Sequence, residues 1–253
     1  AFPLLYRGSA HAMTMATAAC EATAVADAYM VGPIAHAGHT LAVANTGDLD
    51  AARAAVAEID MSHTGDLRLD GFIGRARAAV LALEGRWDEA AEAAAASGRL
   101  CVAGTYVEFG IVSLYDAVRY RRADLVVDDM RPFGGAAAAP LVEVMVDHAI
   151  AQAAGDTTTL VEVAEVLAAM GARCLVAEAL DDVARLAVDE VLAGRASTTA
   201  ALWRRATPAP NARARPEPSP VSERELDVVE LALTGMASKA IAETLFLSVR
   251  TVD

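Results

Sequence analysis

One phrase occurs twice in this chain, and it limits the possible folds more than anything else in the sequence. Gly47, Leu49, Asp50, Ala52 and Ala55 recur as Gly85, Trp87, Asp88, Ala90 and Ala93, 38 residues later. Each member suits a helical hairpin. A glycine takes the left-handed conformation that ends a helix. An aspartate accepts hydrogen bonds from the free amides that open the next one. Small alanines let two helices approach closely. Weaker echoes begin near Arg122, at Gly155-Asp156 and at Gly194. A period of roughly 33 to 39 residues is that of stacked helix pairs such as tetratricopeptide repeats.

Composition supports an all-α chain. Of the 253 residues, 55% are hydrophobic and only 5% aromatic, with alanine prominent, so helices come easily and a sizeable core can be buried. The net charge of −13 excludes a surface that attracts nucleic acid as a whole, so any DNA contact must be local. It also argues against charge-driven attachment to a membrane. No run of about 18 uncharged apolar residues occurs, and no membrane span is expected. Cys20, Cys101 and Cys174 are odd in number and far apart, which makes neither a disulfide framework nor a zinc site. They read as small apolar residues in a reducing cytoplasm.

Residues 1–205 read as an α-helical repeat domain. Ala10 to Met30 suggests one helix, with Gly32-Pro33 as its stop. Residues 41–205 suggest about eight helices packed in pairs. Tyr106, Phe109, Val112, Ser113 and Ala117 mark one helix face, and Leu160, Val163, Ala164 and Leu167 another. Pro132 and Pro140 bracket a break at Gly134-Gly135. Trp87 and Trp203 are assigned to inter-helix packing. Residues 206–220 contain five prolines in fifteen positions and read as an extended linker. Arg204, Arg205, Arg213 and Arg215 in and beside it suit either a solvated tether or a basic arm on DNA.

Residues 221–253 follow a different pattern. Ser222 and Glu225 have the spacing of a capping box. Leu226, Val229, Ala232 and Leu233 give the helix they open an apolar face. Gly235 can stop that helix. Ser238 can cap a short second helix with Ile241, Ala242 and Leu245 inward. Phe246-Leu247 turn the chain, and Ser248 caps a third helix beginning Val249-Arg250-Thr251-Val252. By spacing, Val252 points back onto Ile241 and Leu245. Two short helices, a tight turn and a capped third helix make a helix-turn-helix.

The wording of this stretch resembles the DNA-binding domain of the LuxR family. The resemblance rests on Ser-Glu-Arg-Glu at 222–225, Leu-Ala-Leu-Thr-Gly-Met at 231–236, Ser-Lys-Ala-Ile-Ala at 238–242 and Leu-Phe-Leu-Ser-Val-Arg-Thr-Val at 245–252. Ser238 stands where the family usually has asparagine. Residues 155–205 look like the segment before this domain in large ATP-binding LuxR regulators, through Gly155-Asp156, Leu160, Ala164, Leu167, Gly171-Ala172 and Ala177-Glu178-Ala179. The resemblance implies a transcriptional regulator whose helical repeats sense or relay a signal. It implies promoter DNA as partner, a homodimer on paired half-sites, and a protein or small-molecule effector on the repeats. The third helix would lie in the major groove. Lys239, Arg250 and Thr251 would then contact the DNA backbone, Ser248 would cap, and Val249 and Val252 would pack or touch a thymine methyl. Asp253 would open the base-reading surface. The chain is expected to stop inside the motif and so to show weak or no specific binding. No Walker-type phosphate loop occurs here. An ATPase module would therefore precede residue 1, and no cofactor is expected in this chain.

Two other classes compete. A helical-repeat adaptor would use the C-terminal hairpin on a protein partner. An enzyme finds little support. His36 and His39, near Pro33 and Gly38, read as loop histidines. His11, His63 and His148 stand alone, and no Gly-x-Ser-x-Gly elbow appears. Asp128-Asp129 and Asp181-Asp182 read as solvated helix faces.

Overall fold

The computed structural model describes residues 11–27, 32–60, 66–135, 138–206 and 221–252. Among them the chain forms fourteen α-helices and two 3-10 turns, with no strand. Eleven helices build a scaffold: α1 (His11–Val25), α2 (Gly32–Thr46), α3 (Leu49–Asp60), α4 (Leu67–Leu83), α5 (Trp87–Ala103), α6 (Val107–Arg119), α7 (Val127–Met130), α8 (Pro140–Ala154), α9 (Thr157–Ala169), α10 (Arg173–Leu186) and α11 (Glu190–Arg205). The 3-10 turns are Ala123–Leu125 and Arg131–Phe133. Three short helices follow: α12 (Glu223–Leu233), α13 (Ser238–Leu245) and α14 (Val249–Val252). No described helix is long and apolar enough to cross a membrane. The linker residues 207–220, Asp253, His63 and the ends of the expected Ala10–Met30 helix lie outside the described residues.

Scaffold helices fold back on their sequence neighbours, and α5 packs against both α4 and α6. The repeated phrase marks hairpins as its spacing predicts. Gly47, Gly85 and Gly155 take positive φ of 84°, 76° and 69°. Ala52 and Ala90 are fully buried, as close approach requires. Arg121 adopts the same left-handed turn at φ 68°, where a non-glycine residue is strained. The aspartates behave otherwise. Asp50 and Asp88 sit inside the first turns of α3 and α5 and do not cap them. Asp48 caps α3 by accepting from the Ala51 amide at 2.9 Å. Asp88 instead meets Arg122 at 3.1 Å. The echo expected at Gly194 is also absent, because Gly194 lies inside α11; the turn falls at Gly171, φ 72°.

Two more local expectations are corrected. Gly32-Pro33 opens α2 rather than ending a helix, and the Gly32 amide donates to Asp27 at 2.8 Å. A proline near the first helical position needs no hydrogen-bond partner for its nitrogen, which suits a helix start. His36 and His39 consequently lie in a helix, and His36 is 3.6 Å from Glu58. At α9 the pattern reading holds. Asp156 accepts from the Thr158 and Thr159 amides at 3.1 and 3.2 Å and starts α9, whose Leu160, Val163, Ala164 and Leu167 are all buried. Burying each leucine contributes roughly 2 kcal/mol. Trp87 and Trp203 are half-buried against the main core. Where α5 crosses α6, Gly98 and Gly110 meet so closely that a Cβ on Gly110 would lie 2.9 Å from the Gly98 carbonyl oxygen.

An ionic and hydrogen-bonded chain threads the alternate helices α4, α6, α8 and α10. Arg75 donates to Asp116 at 2.6 Å. Arg119 donates to Asp116 at 2.8 Å and, through two nitrogens, to Glu178 at 2.7 and 2.8 Å. Beside it, the Tyr115 hydroxyl lies 2.7 Å from His148 Nδ1, and His148 Nε2 lies 3.1 Å from Asp182. Gln152 joins by donating to Asp182 at 2.6 Å and to the Val118 carbonyl at 2.9 Å. All of these side chains are buried. The reading of His148 as isolated and of Asp181-Asp182 as solvated is therefore corrected. Burial pushes Asp182 up, but the hydrogen bonds and charges of His148 and Arg185 outweigh it and hold the carboxyl below its usual range. Burial wins at Asp181, raised to about 6 although Arg204 pulls it down. Asp128, by contrast, is solvated, and Asp129 pairs with Arg99 at 2.7 Å.

Candidate nucleic-acid interface

The three C-terminal helices are separate, and local chemistry sets each boundary. Ser222 and Glu225 close the capping box: the Glu225 amide donates to Ser222 Oγ at 3.3 Å, and the Ser222 amide donates to Glu225 Oε2 at 2.7 Å. That fixes the first turn of α12. Gly235 then takes φ 84°, and its amide returns to the Ala232 carbonyl at 2.9 Å. This left-handed residue releases the chain from α12. The N-cap position of α13 is Ala237, so Ser238 is its first helical residue and does not cap it.

Phe246 makes the tight turn between α13 and α14. It is left-handed at φ 56°, the residue is 94% exposed, and the Leu247 amide donates to the Ala242 carbonyl at 2.8 Å. Ser248 then caps α14, accepting from the Thr251 amide at 3.2 Å while the two hydroxyls meet at 2.7 Å. Arg224 ties the hairpin together by donating to the Leu245 carbonyl at the end of α13. A cation there complements the negative end of a helix.

The core of this module is small: Leu226, Ile241 and Ala242 are its fully buried residues among those described. Val229, Leu245 and Val252 are half-buried. The predicted apolar face of α12 is narrower than its pattern suggests, because Ala232 is exposed and Leu233 is 73% exposed. The face instead includes Val228 and Leu231, both half-buried.

Charge is distributed unevenly over the module. Lys239 and Arg250 are exposed, and among the described residues neither has an ion-pair or hydrogen-bond partner for its side chain. Thr251 is exposed beside Arg250, and Val249 is 42% exposed. The acids Glu223, Asp227 and Glu230 share one face of α12, at i, i+4 and i+7, and converge on Arg205 at the end of α11. Glu225 is held in the capping box, which lowers its pKa through its bonds from Ser222. Arg204 turns the other way, into Asp181. Arg204 and Arg205 therefore do not form the free basic arm allowed by the linker reading; Arg213 and Arg215 lie outside the described residues. Nothing in the sequence pattern signalled the Arg205 contact, because its partners follow only after a fifteen-residue proline-rich stretch.

Tyr115 and His148 are fully buried and Asp182 nearly so. Among the described residues no group of three or more histidine, cysteine, aspartate or glutamate side chains is placed to hold a metal ion. Cys101 and Cys174 are buried, and burial raises the Cys101 thiol to about 11, so it is a poor nucleophile. A groove of about 260 Å³ lies between α8 and α9, with Val144, Val163 and Met170 against Glu143, Asp147 and Glu162.

No curated protein and no solved structure matches the chain. Its C-terminal residues 219–253 match the family model described as bacterial regulatory proteins, luxR family, so the scaffold carries a LuxR-type helix-turn-helix domain at its C-terminal end.

Proposed function

We propose that the chain acts in a DNA-binding transcriptional regulator, with the helical scaffold relaying a signal to the helix-turn-helix. The observation that carries this reading is the charge arrangement within the luxR-family match. Lys239 and Arg250 are exposed and have no ion-pair partner among the described residues, while Glu223, Asp227 and Glu230 of α12 turn toward the scaffold. An acidic chain needs such a local cationic surface to approach a duplex.

In this reading Lys239, Arg250 and Thr251 contact phosphates, which positions the module without reading sequence. Ser248 orients Thr251 through the 2.7 Å hydroxyl contact. Val249, partly exposed, is available to a thymine methyl. Asp253, outside the described residues, opens the base-reading surface. Dimerisation on paired half-sites and an effector on the scaffold belong to the same proposal. The groove between α8 and α9 is a candidate surface for that effector. The reading assigns the chain neither a catalytic role nor a cofactor.

The test is binding to a pool of promoter fragments across a salt series. Arg250→Ala and Lys239→Ala should each weaken all fragments alike and flatten the logarithmic salt dependence by about one. Unchanged affinity for both variants would overturn the assignment. A shifted sequence preference at constant affinity would overturn the phosphate role. One observation favours an adaptor instead: Phe246 and Leu233 present apolar surface on the same module. In that case neither basic residue affects DNA, while Phe246→Ser abolishes association with a protein partner.

A further inference from the structure

At the end of α11 two neighbouring arginines diverge. Arg204 reaches into the scaffold and bonds the buried Asp181. Arg205 reaches out to the helix-turn-helix, where Asp227 lies at 2.7 Å, Glu230 at 3.3 Å and Glu223 at 3.7 Å. The backbone at this point is held as well, because Arg173 donates to the Ala206 carbonyl at 3.1 Å. So the base of the contact is anchored twice to the scaffold, while at its tip the Arg205 guanidinium meets three carboxylates, of which Asp227 also lies 4.0 Å from Arg224 on its own helix.

The balance of charge makes that guanidinium decisive. The C-terminal end of a helix carries roughly half a negative charge from its unpaired carbonyls. Three carboxylates of α12 beside the end of α11 would repel it. Arg205 reverses the sign of the contact, and its hydrogen bond to Asp227 and the nearby acidic charges raise its own pKa. Its partners are partly or largely exposed, at 32% for Asp227, 55% for Glu230 and 84% for Glu223. Exposed ion pairs are weak and are screened by salt. The contact is therefore attractive but easily released.

We propose that Arg205 is an electrostatic latch that holds the acidic face of α12 against the end of α11 and so sets the orientation of the helix-turn-helix on the scaffold. Closed, it engages Glu223, Asp227 and Glu230 and leaves Lys239 and Arg250 in solvent. Open, the module is held by its linker alone. Whatever moves the end of α11, or brings competing charge to it, shifts the balance between the two states. The consequence for transcription rests on the DNA-binding reading above; the latch itself does not.

The experiment measures a distance distribution by pulsed electron resonance in the full chain. Spin labels replace Val188, which is fully exposed, and Glu243, which is exposed on α13, in a Cys20→Ser background. At low salt the parent should give one narrow distance. Arg205→Glu should broaden it, and 1 M salt should broaden the parent while leaving Arg205→Glu unchanged. Adding Asp227→Lys and Glu230→Lys to Arg205→Glu should restore the narrow distance. Circular dichroism should show the same helix content throughout. A distribution already broad in the parent, one that stays narrow in Arg205→Glu, or a failed restoration would each overturn the latch. If the distances respond as stated while no variant binds DNA, the latch stands and the regulator reading fails.

Discussion

Replacing Asp116 by alanine should be among the most damaging single changes to the scaffold. Asp116 is fully buried and accepts from Arg75 at 2.6 Å and Arg119 at 2.8 Å. In the contacts named above, two guanidinium groups face the carboxylates of Asp116 and Glu178. Without Asp116, two cations whose side chains are 2% and 1% exposed share one carboxylate. Breaking a buried pair from one side typically destabilises by about 3–5 kcal/mol. For a scaffold of this size that lowers the melting temperature by about 6–20 °C. Asp116→Asn keeps the shape and an acceptor but loses the charge, and should fall between the two. Urea unfolding followed by circular dichroism measures both. The complementary cycle uses Arg119→Met and Glu178→Met. Each alone leaves an unmatched buried charge, whereas the double variant leaves Arg75 and Asp116 balanced. The double variant should therefore lose much less than the sum of the singles. A loss below about 1 kcal/mol for Asp116→Ala, the size of a surface ion pair, would refute the reasoning, as would additivity in the cycle.

Asp181 should make the scaffold less stable as pH rises. Its folded pKa of about 6 exceeds the ordinary 3.8, so between these values the folded state holds a proton that the unfolded state has released, and stability falls with rising pH. Asp181→Asn should remove that fall, read as a flatter plot of unfolding free energy from pH 4 to 7; an unchanged slope would exclude Asp181 as its source. Gly110→Ala should lose about 1–3 kcal/mol by overpacking. The added Cβ would sit 2.5 Å from a Val102 methyl and 2.9 Å from the Gly98 carbonyl oxygen, and wild-type stability in urea would show that α5 and α6 can separate at no cost.

The parts of this structure legible in the sequence are those fixed by near neighbours. The capping box at Ser222, the left-handed Gly235, the cap at Ser248 and the buried stripe from Leu160 to Leu167 each depend on residues within one or two turns. Near misses show the limits of such rules. Asp48 and Asp50 are both plausible caps for α3, and only the path of the backbone through Gly47 selects Asp48. Pro33 suits a helix start as well as a stop, so the spacing alone did not decide. Side chains paired across the fold left no trace. Arg119 and Glu178 are 59 positions apart, and His148 lies 33 from Tyr115 and 34 from Asp182. Nothing in a linear pattern distinguishes such residues from solvated charges. For the candidate site, Lys239 and Arg250 were identified from the wording of the segment, whereas the turn of Glu223, Asp227 and Glu230 toward Arg205 required the fold.

Alanine-faced helices offer smooth surfaces to one another. Ala90, Ala91, Ala94 and Ala95 on α5 are all buried, and shifting such a helix along its neighbour by one turn, about 5.4 Å, would sacrifice little apolar contact. Away from the tight Gly98–Gly110 crossing, shape alone thus discriminates poorly between correct and slipped stackings. The charged chain through α4, α6, α8 and α10 supplies the missing discrimination. A one-turn slip would carry Arg75 away from Asp116 or Glu178 away from Arg119 and leave both ions stranded without water. Slippage along these surfaces therefore carries a steep electrostatic penalty, and the true alignment of the layers is written in a handful of oppositely charged side chains.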